Sequence, residues 1–275
     1  MDEQPKLKPS GSKLAYIPGA EIVGRIDPWW GLVILVVGLT VILVTVKADP
    51  FWDITKFVWD GVLVTALITI SSFALTLVVG LIGGLGRLAR NPFLHGIATL
   101  YVEIVRGIPL LVQLIWWYFA FPVVIQQIGE WLHISVIANY VANPILTAIM
   151  AITVCYGAYM SEIYRAGIQS IPKGQIEAAR SLGMSHFQSM RHIILPQAVR
   201  VVLPPVGNEF IALLKDSCLV SVVAVADLTR RGRLYMAVHF NPIEVWTMVA
   251  LLYLVMTLFA ARGVAWIEKK SHFER

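Results

Sequence analysis

Residues 58–85, VWDGVLVTALITISSFALTLVVGLIGGL, decide the fold class. A helix crosses a hydrocarbon layer about 30 Å thick with about 20 apolar residues, each rising about 1.5 Å. This run is longer than that and carries one charge, Asp60, near its start. Strands of a membrane barrel would read instead as short alternating segments. The run ends in the basic stretch Arg87 to Arg90, and Asn91-Pro92 then marks a break before another helix.

The same pattern repeats outward on both sides. Before it lies Trp29 to Val46, opened by Trp29-Trp30 at an expected interface and closed by Lys47. After it comes a third apolar stretch, about Phe93 to Ile125, interrupted by Arg106-Gly107-Ile108-Pro109. Pro109 disfavours helix at Ile108 and removes a backbone donor, which predicts a kink or a broken helix. A fourth run covers Pro144 to Ile163, a fifth begins near Val201 and runs through Val225, and a sixth covers Pro242 to Ile267. Between the fourth and fifth, Arg165 to Arg200 is amphipathic and too polar to span. Composition agrees, with 57% hydrophobic and 14% charged residues and a mean hydropathy of +0.73, against about 25% charged in soluble domains. The expectation is an all-α membrane protein with six spans.

Charge sets the orientation. The net charge of +5 could suggest nucleic acid, but Lys and Arg of a membrane protein gather in cytoplasmic loops. Arg87, Arg90, Arg165, Lys173, Arg180, Arg191, Arg200, Lys269 and Lys270 fall on one side, which is therefore read as cytoplasmic, with both termini there. Asp49, Asp53, Asp60 and Glu130 fall opposite. Arg230, Arg231 and Arg233 disagree, and are expected in an irregular outer connection packed on the domain surface. Residues 1–28 read as a polar, Pro-rich cytoplasmic tail without the form of a cleavable signal. Cys155 and Cys218 sit in apolar stretches and read as buried small hydrophobes.

The sharpest local signal is in the amphipathic stretch. Glu177-Ala178-Ala179 is followed after three residues by Gly183, and nine residues later by Ile193, Leu195 and Pro196. A short helix stopped at Gly183 would present a compact knob. Ala178 and Ala179 would allow close approach of a partner, and Glu177 would offer it a charge. The spacing is identified as the EAA signature, EAA-x3-G-x9-I-x-LP, of permeases in ATP-binding-cassette importers. The segments EIVRGIPLLVQ at 103–113, GAYMSEIYRAGI at 157–168 and LKDSCL at 214–219 resemble those of polar amino acid permeases of the histidine, glutamine and arginine type.

The resemblance implies a type I importer transmembrane domain with a five-helix core. The core would cover residues 55–270 with its coupling loop at 168–196, and residues 271–275 would form a cytoplasmic tail. Residues 29–47 depart from that pattern as an extra N-terminal span. The family further implies a homodimer or a pairing with a paralogous permease, two cytoplasmic ATPase subunits that use ATP and magnesium, an extracytoplasmic amino-acid-binding protein, and a bacterial inner (plasma) membrane. No phosphate loop of the form G-x-x-x-x-G-K-[ST] occurs in the sequence. ATP hydrolysis is therefore expected in a partner, and no catalytic residue, cofactor or metal site is expected in this chain.

Ionisable groups at bilayer depth are costly and mark function by default. Glu103 with Arg106, and Glu162 with Arg165, stand at i and i+3 and can pair on one helix face. Two readings stay open: carboxylates receiving the ammonium or cationic side chain of an amino acid, or pairs that hold packing. Glu103, Glu162, Thr65 and Ser161 are taken as substrate-pathway candidates. Lys215 and Asp216 are adjacent, so their partners must lie elsewhere. An ion-coupled transporter or channel would explain the carboxylates but not the EAA spacing. Gly84-Leu85-Gly86-Arg87-Leu88-Ala89 fits a dinucleotide fingerprint in letters only, since it closes a span rather than following a strand. The scattered histidines, His186 and His192 among them, form no metal pattern.

Overall fold

In the computed structural model, residues 28–271 are described, and all of the regular structure among them is helical. The N-terminal tail and the last four residues lie outside the described residues. The helices are α1 (Pro28–Val46), α2 (Ala48–Arg87), α3 (Pro92–Gly107), α4 (Leu110–Ile115), α5 (Phe121–Trp131), α6 (Ser135–Ala138) and α7 (Pro144–Gln169). There follow α8 (Lys173–Ser181), α9 (His186–Ser189), α10 (Leu195–Asp216), α11 (Leu228–His239) and α12 (Pro242–Ser271). A π-helical turn, Trp116–Ala120, joins α4 to α5, and a second, Met190–Ile194, joins α9 to α10.

Five helical segments among the described residues are long and apolar enough to cross a membrane: Trp29–Val46, Ala48–Arg87, Leu110–Trp131, Pro144–Gln169 and Pro242–Lys270. The fifth expected span corresponds to α10, whose 22 residues are long enough but carry Arg200, Glu209, Lys215 and Asp216. It starts at Leu195 rather than near Val201, because Pro196 in the first turn lacks only a donor that a helix start leaves free anyway. It stops at Asp216, where the chain tightens into a 3₁₀ segment, Ser217–Val223, that Ala224 ends in the left-handed region at φ 63°. The third apolar stretch is likewise divided. Ile108 is extended ahead of Pro109, so α3 is a separate helix and the crossing segment runs from Leu110 to Trp131.

Two helix starts share one local device. Asn91 and Asn143 each precede a proline, and each side-chain oxygen accepts two backbone N–H groups of the first turn, at 2.9 and 3.4 Å for Asn91 and 3.0 and 3.1 Å for Asn143. The break between α3 and α4 is held by Gln113. Its amide donates to the carbonyls of Val105 and Ile108, both at 2.8 Å, which satisfies acceptors that Pro109 leaves without a helical partner.

α2 has 40 residues, about 60 Å of helix against about 30 Å of hydrocarbon, so it reaches beyond the bilayer. Its buried face is a row of small residues at helical spacing, Gly61, Thr65, Thr69, Ser72, Thr76, Gly80 and Gly83. Between membrane helices there is little hydrophobic gain, so close packing of small residues drives association. α7, the central span, lies along this row from Ser72 onward: a Cβ on Gly80 would come within 2.5 Å of Met160, and one on Gly83 would overlap Ser161 Oγ. Tyr101 of α3 ties onto α7 through a 2.7 Å bond to the Val154 carbonyl. Toward the N-terminal end of α2, α11 and α12 pack on it through Val58, Leu228, Val245 and Met248.

The basic connection carrying Arg230, Arg231 and Arg233, expected to be irregular, is an ordered helix, α11. Asp227 caps α11 by accepting from Thr229 and Arg230 at 3.2 and 3.0 Å, and burial holds its carboxyl above the usual range. Arg231 pairs with Asp60 and lies over the Phe57 ring. α1 packs on α12 through Val33, Val36 and Leu258, with Arg262 stacked 5.0 and 5.5 Å from the Trp29 and Trp30 ring centres.

Candidate functional site

Two places concentrate unusual chemistry. The first is the knob formed by α8. It is nine residues long and ends as a glycine stop: Gly183 takes φ 76°, Gly183 N–H bonds to the Arg180 carbonyl at 2.9 Å, and Met184 N–H to the Ala179 carbonyl at 3.1 Å. A β-branched residue at φ 76° is strained by about 1–2 kcal/mol. Gly183→Val therefore frays the knob, seen as faster proteolysis confined to residues 180–186.

The motif residues do not share one surface. Glu177 and Ala178 are exposed, whereas Ala179 is buried against the chain's own core, so only one of the two alanines is open to a partner. Ile193 is half-buried, and Leu195 and Pro196 are exposed. Ile171, Ile194 and Ala198 form a small core beneath, joined by Ile168, Ile176 and Met190. That core fastens the knob to the end of α7 and the start of α10. Leu182 and Phe187, 82% and 69% exposed, complete the knob's apolar tip. The motif does not name them; their size beside a polar loop is the only signal the sequence offers.

The second place is a cavity of about 240 Å³ lined by Leu110, Cys155, Tyr156, Tyr159, Glu209 and Asp216. Its α7 residues stand halfway along the central span. Tyr156 donates to Asp216 at 2.7 Å, the partner that residues 215 and 216 could not supply to each other. Arg106 lies over the Tyr159 ring at 5.2 Å. Two larger cavities are apolar in character: about 420 Å³ between α2, α10 and α12, and about 330 Å³ between α3 and α4 beside Trp116 and Trp117. Among the three, only the smallest brings two carboxylates together.

The four pathway candidates lie elsewhere. Thr65 is fully buried and its hydroxyl accepts the Leu228 N–H at 3.1 Å. Ser161 is fully buried, donates to the Gly157 carbonyl at 2.7 Å and abuts Gly83. None of the three cavities includes either hydroxyl. Glu162 pairs with Arg165 as the spacing suggests, with Nε at 3.0 Å, and also with Arg87 at 2.5 Å. Glu103 does not pair with Arg106. Arg87 lies 3.6 Å from Glu103 instead, because the last turn of α2 comes nearer than the next turn of α3. Both carboxylates thus sit in an ion cluster at the knob end of α7. Among the described residues no group of His, Cys, Asp and Glu could hold a metal ion.

The sequence model of the family described as "Binding-protein-dependent transport system inner membrane component" matches residues 76–272. The glutamine transport system permease protein of Escherichia coli K12 is 35% identical over 210 residues, covering 76% of this chain and 90% of its own. The arginine transport system permease protein of Corynebacterium glutamicum is 35% identical over 231 residues, covering 82% of this chain and 72% of its own. A crystal structure of an amino acid ABC transporter with histidines superposes with a TM-score of 0.69 at 35% identity, over 78% of this chain and 94% of that one.

Proposed function

The chain belongs to the inner-membrane components of binding-protein-dependent transport systems, as a permease of the amino acid ABC importer type, and from that membership we propose how it handles its substrate. A polar amino acid crosses through the cavity between α4, α7 and α10. Its ammonium, or a cationic side chain, is received by Glu209 and Asp216, with Tyr156 orienting Asp216. Charge-assisted hydrogen bonds of this kind contribute about 1.5–3 kcal/mol each. With Arg106 over Tyr159 beside the two carboxylates, the site offers both signs of charge, as the ammonium and carboxylate of an amino acid require.

The knob supplies the energy input. Two cytoplasmic ATPase subunits, using ATP and magnesium, seat Glu177, Leu182 and Phe187 in their surface clefts. Their closure moves α8, and the small core under it carries that motion into α7 and α10, the helices that wall the cavity. An extracytoplasmic binding protein delivers the amino acid at the opposite end, and a second permease, identical or paralogous, completes the translocation path. In this arrangement the knob end, both termini and the Lys269-Lys270 end of α12 face the cytoplasm. The substrate shifts the inward–outward equilibrium only by its differential affinity for the two states.

The observation that carries the reading is an exposed, glycine-stopped knob whose base is packed into two cavity-lining helices. The test is ATP hydrolysis by the purified complex in nanodiscs, with polar amino acids added in turn. Hydrolysis is expected to rise with substrate, and to lose that response with Glu177→Arg while the helices remain folded. Absence of a co-purifying ATPase, or transport by Glu177→Arg at the normal rate, would sink the reading.

A further inference from the structure

The ion cluster at the knob end of α7 joins three helices. Arg87 closes α2 with a side chain only 14% exposed, Glu103 belongs to α3 and Glu162 to α7. The Arg87 guanidinium reaches Glu162 Oε2 at 2.5 Å and lies 3.6 Å from Glu103. A second tie runs beside it, from the Arg87 carbonyl to His95 Nδ1 at 2.9 Å. From Glu162, α7 continues about two turns to Gln169, and Ser170-Ile171-Pro172 then leads straight into α8.

This cluster is not needed to bring α2 and α7 together. Gly80, Gly83 and Gly84 already do so along the preceding two turns. Ionic groups partly withdrawn from water cost desolvation and return it only when well paired. Here the pairing is incomplete, since Arg87 Nε is buried without a hydrogen-bond partner and the Glu103 contact is long. Directional pairs of this kind make or break discretely, as the two-state element of a coupling route must.

We propose that Arg87 is a positioning residue: by holding Glu162 it makes the α2–α3 half of the molecule move with α7 when the knob is displaced. The proposal rests on the importer reading above. The small core beneath the knob joins it to the end of α7 and the start of α10. Without the Arg87–Glu162 tie, the knob end of α7, beyond the glycine row, shifts against the ends of α2 and α3, and more ATP is consumed for each substrate carried.

The experiment measures amino acid uptake and ATP hydrolysis in parallel on the complete complex in proteoliposomes. Arg87→Gln and Glu162→Gln are each expected to raise ATP consumed per amino acid transported by about ten-fold, within the usual range of coupling between sites. The double variant Arg87→Gln with Glu162→Gln is expected to raise the ratio no further than either single variant, whereas two independent losses of stability would compound. The two single variants probe one tie from opposite ends, so if one fails to assemble the other decides. An unchanged ratio in an assembled variant, or a double variant whose effect is the product of the two singles, overturns the proposal. If the wild-type complex itself shows no substrate-stimulated hydrolysis, it is the importer reading that fails, whatever Arg87 does.

Discussion

Neutralising both carboxylates of the small cavity, Glu209→Gln together with Asp216→Asn, is expected to abolish measurable amino acid uptake without reducing the amount of protein in the membrane. Both groups line a space of about 240 Å³, and each charge-assisted contact to a cationic group is worth about 1.5–3 kcal/mol. Losing two such contacts lowers binding by at least about a hundred-fold, at about ten-fold per 1.4 kcal/mol. Neutral amides keep the volume, so packing is preserved. Tyr156→Phe, which only frees Asp216 from its 2.7 Å bond, should act more mildly. The decisive readout is the initial uptake rate across substrate concentrations. A double variant within two-fold of wild type would show that the substrate passes elsewhere.

The second large effect concerns assembly. Gly83→Val is expected to lower the thermal stability of the protein sharply, because the new side chain overlaps Ser161 on the central span. Overpacking a tight interior costs about 1–3 kcal/mol for each misfit, and a helix contact built on small residues has little room to relax. Gly96→Val is the control: nothing stands within 4 Å of a Cβ there. Thermal unfolding in detergent should separate the two, with a large drop for the first and little change for the second. Equal stability would mean that α2 and α7 do not meet through this row.

The row of small residues on α2 is partly legible in the sequence. Thr65, Thr69 and Ser72 break an apolar run at visible positions, and Gly80 and Gly83 extend the same helical spacing. The roles are harder to read, since a hydroxyl between two membrane helices and a hydroxyl in a substrate path look alike along the chain. Thr65 accepts a bond from Leu228, more than 160 residues away. Nothing local distinguishes that from a pathway contact.

What the sequence by itself determined is whatever depends on neighbours along the chain. Apolar runs longer than a bilayer forced helices, Asn-Pro pairs opened two of them, Pro109 broke one, and Gly183 stopped the knob. Each rests on backbone geometry or on hydrogen bonds within a few residues. The tertiary structure alone decided which charges meet. Arg106 stands at the right spacing for Glu103 yet stacks on Tyr159, while Arg87 takes a place beside Glu103 and Glu162. It alone joined Tyr156 to Asp216 and put Glu209 in the same cavity. Side chains of Arg, Glu and Tyr reach several ångströms and choose the partner that helix packing brings nearest, and helix packing is set by contacts between segments that the chain order does not reveal.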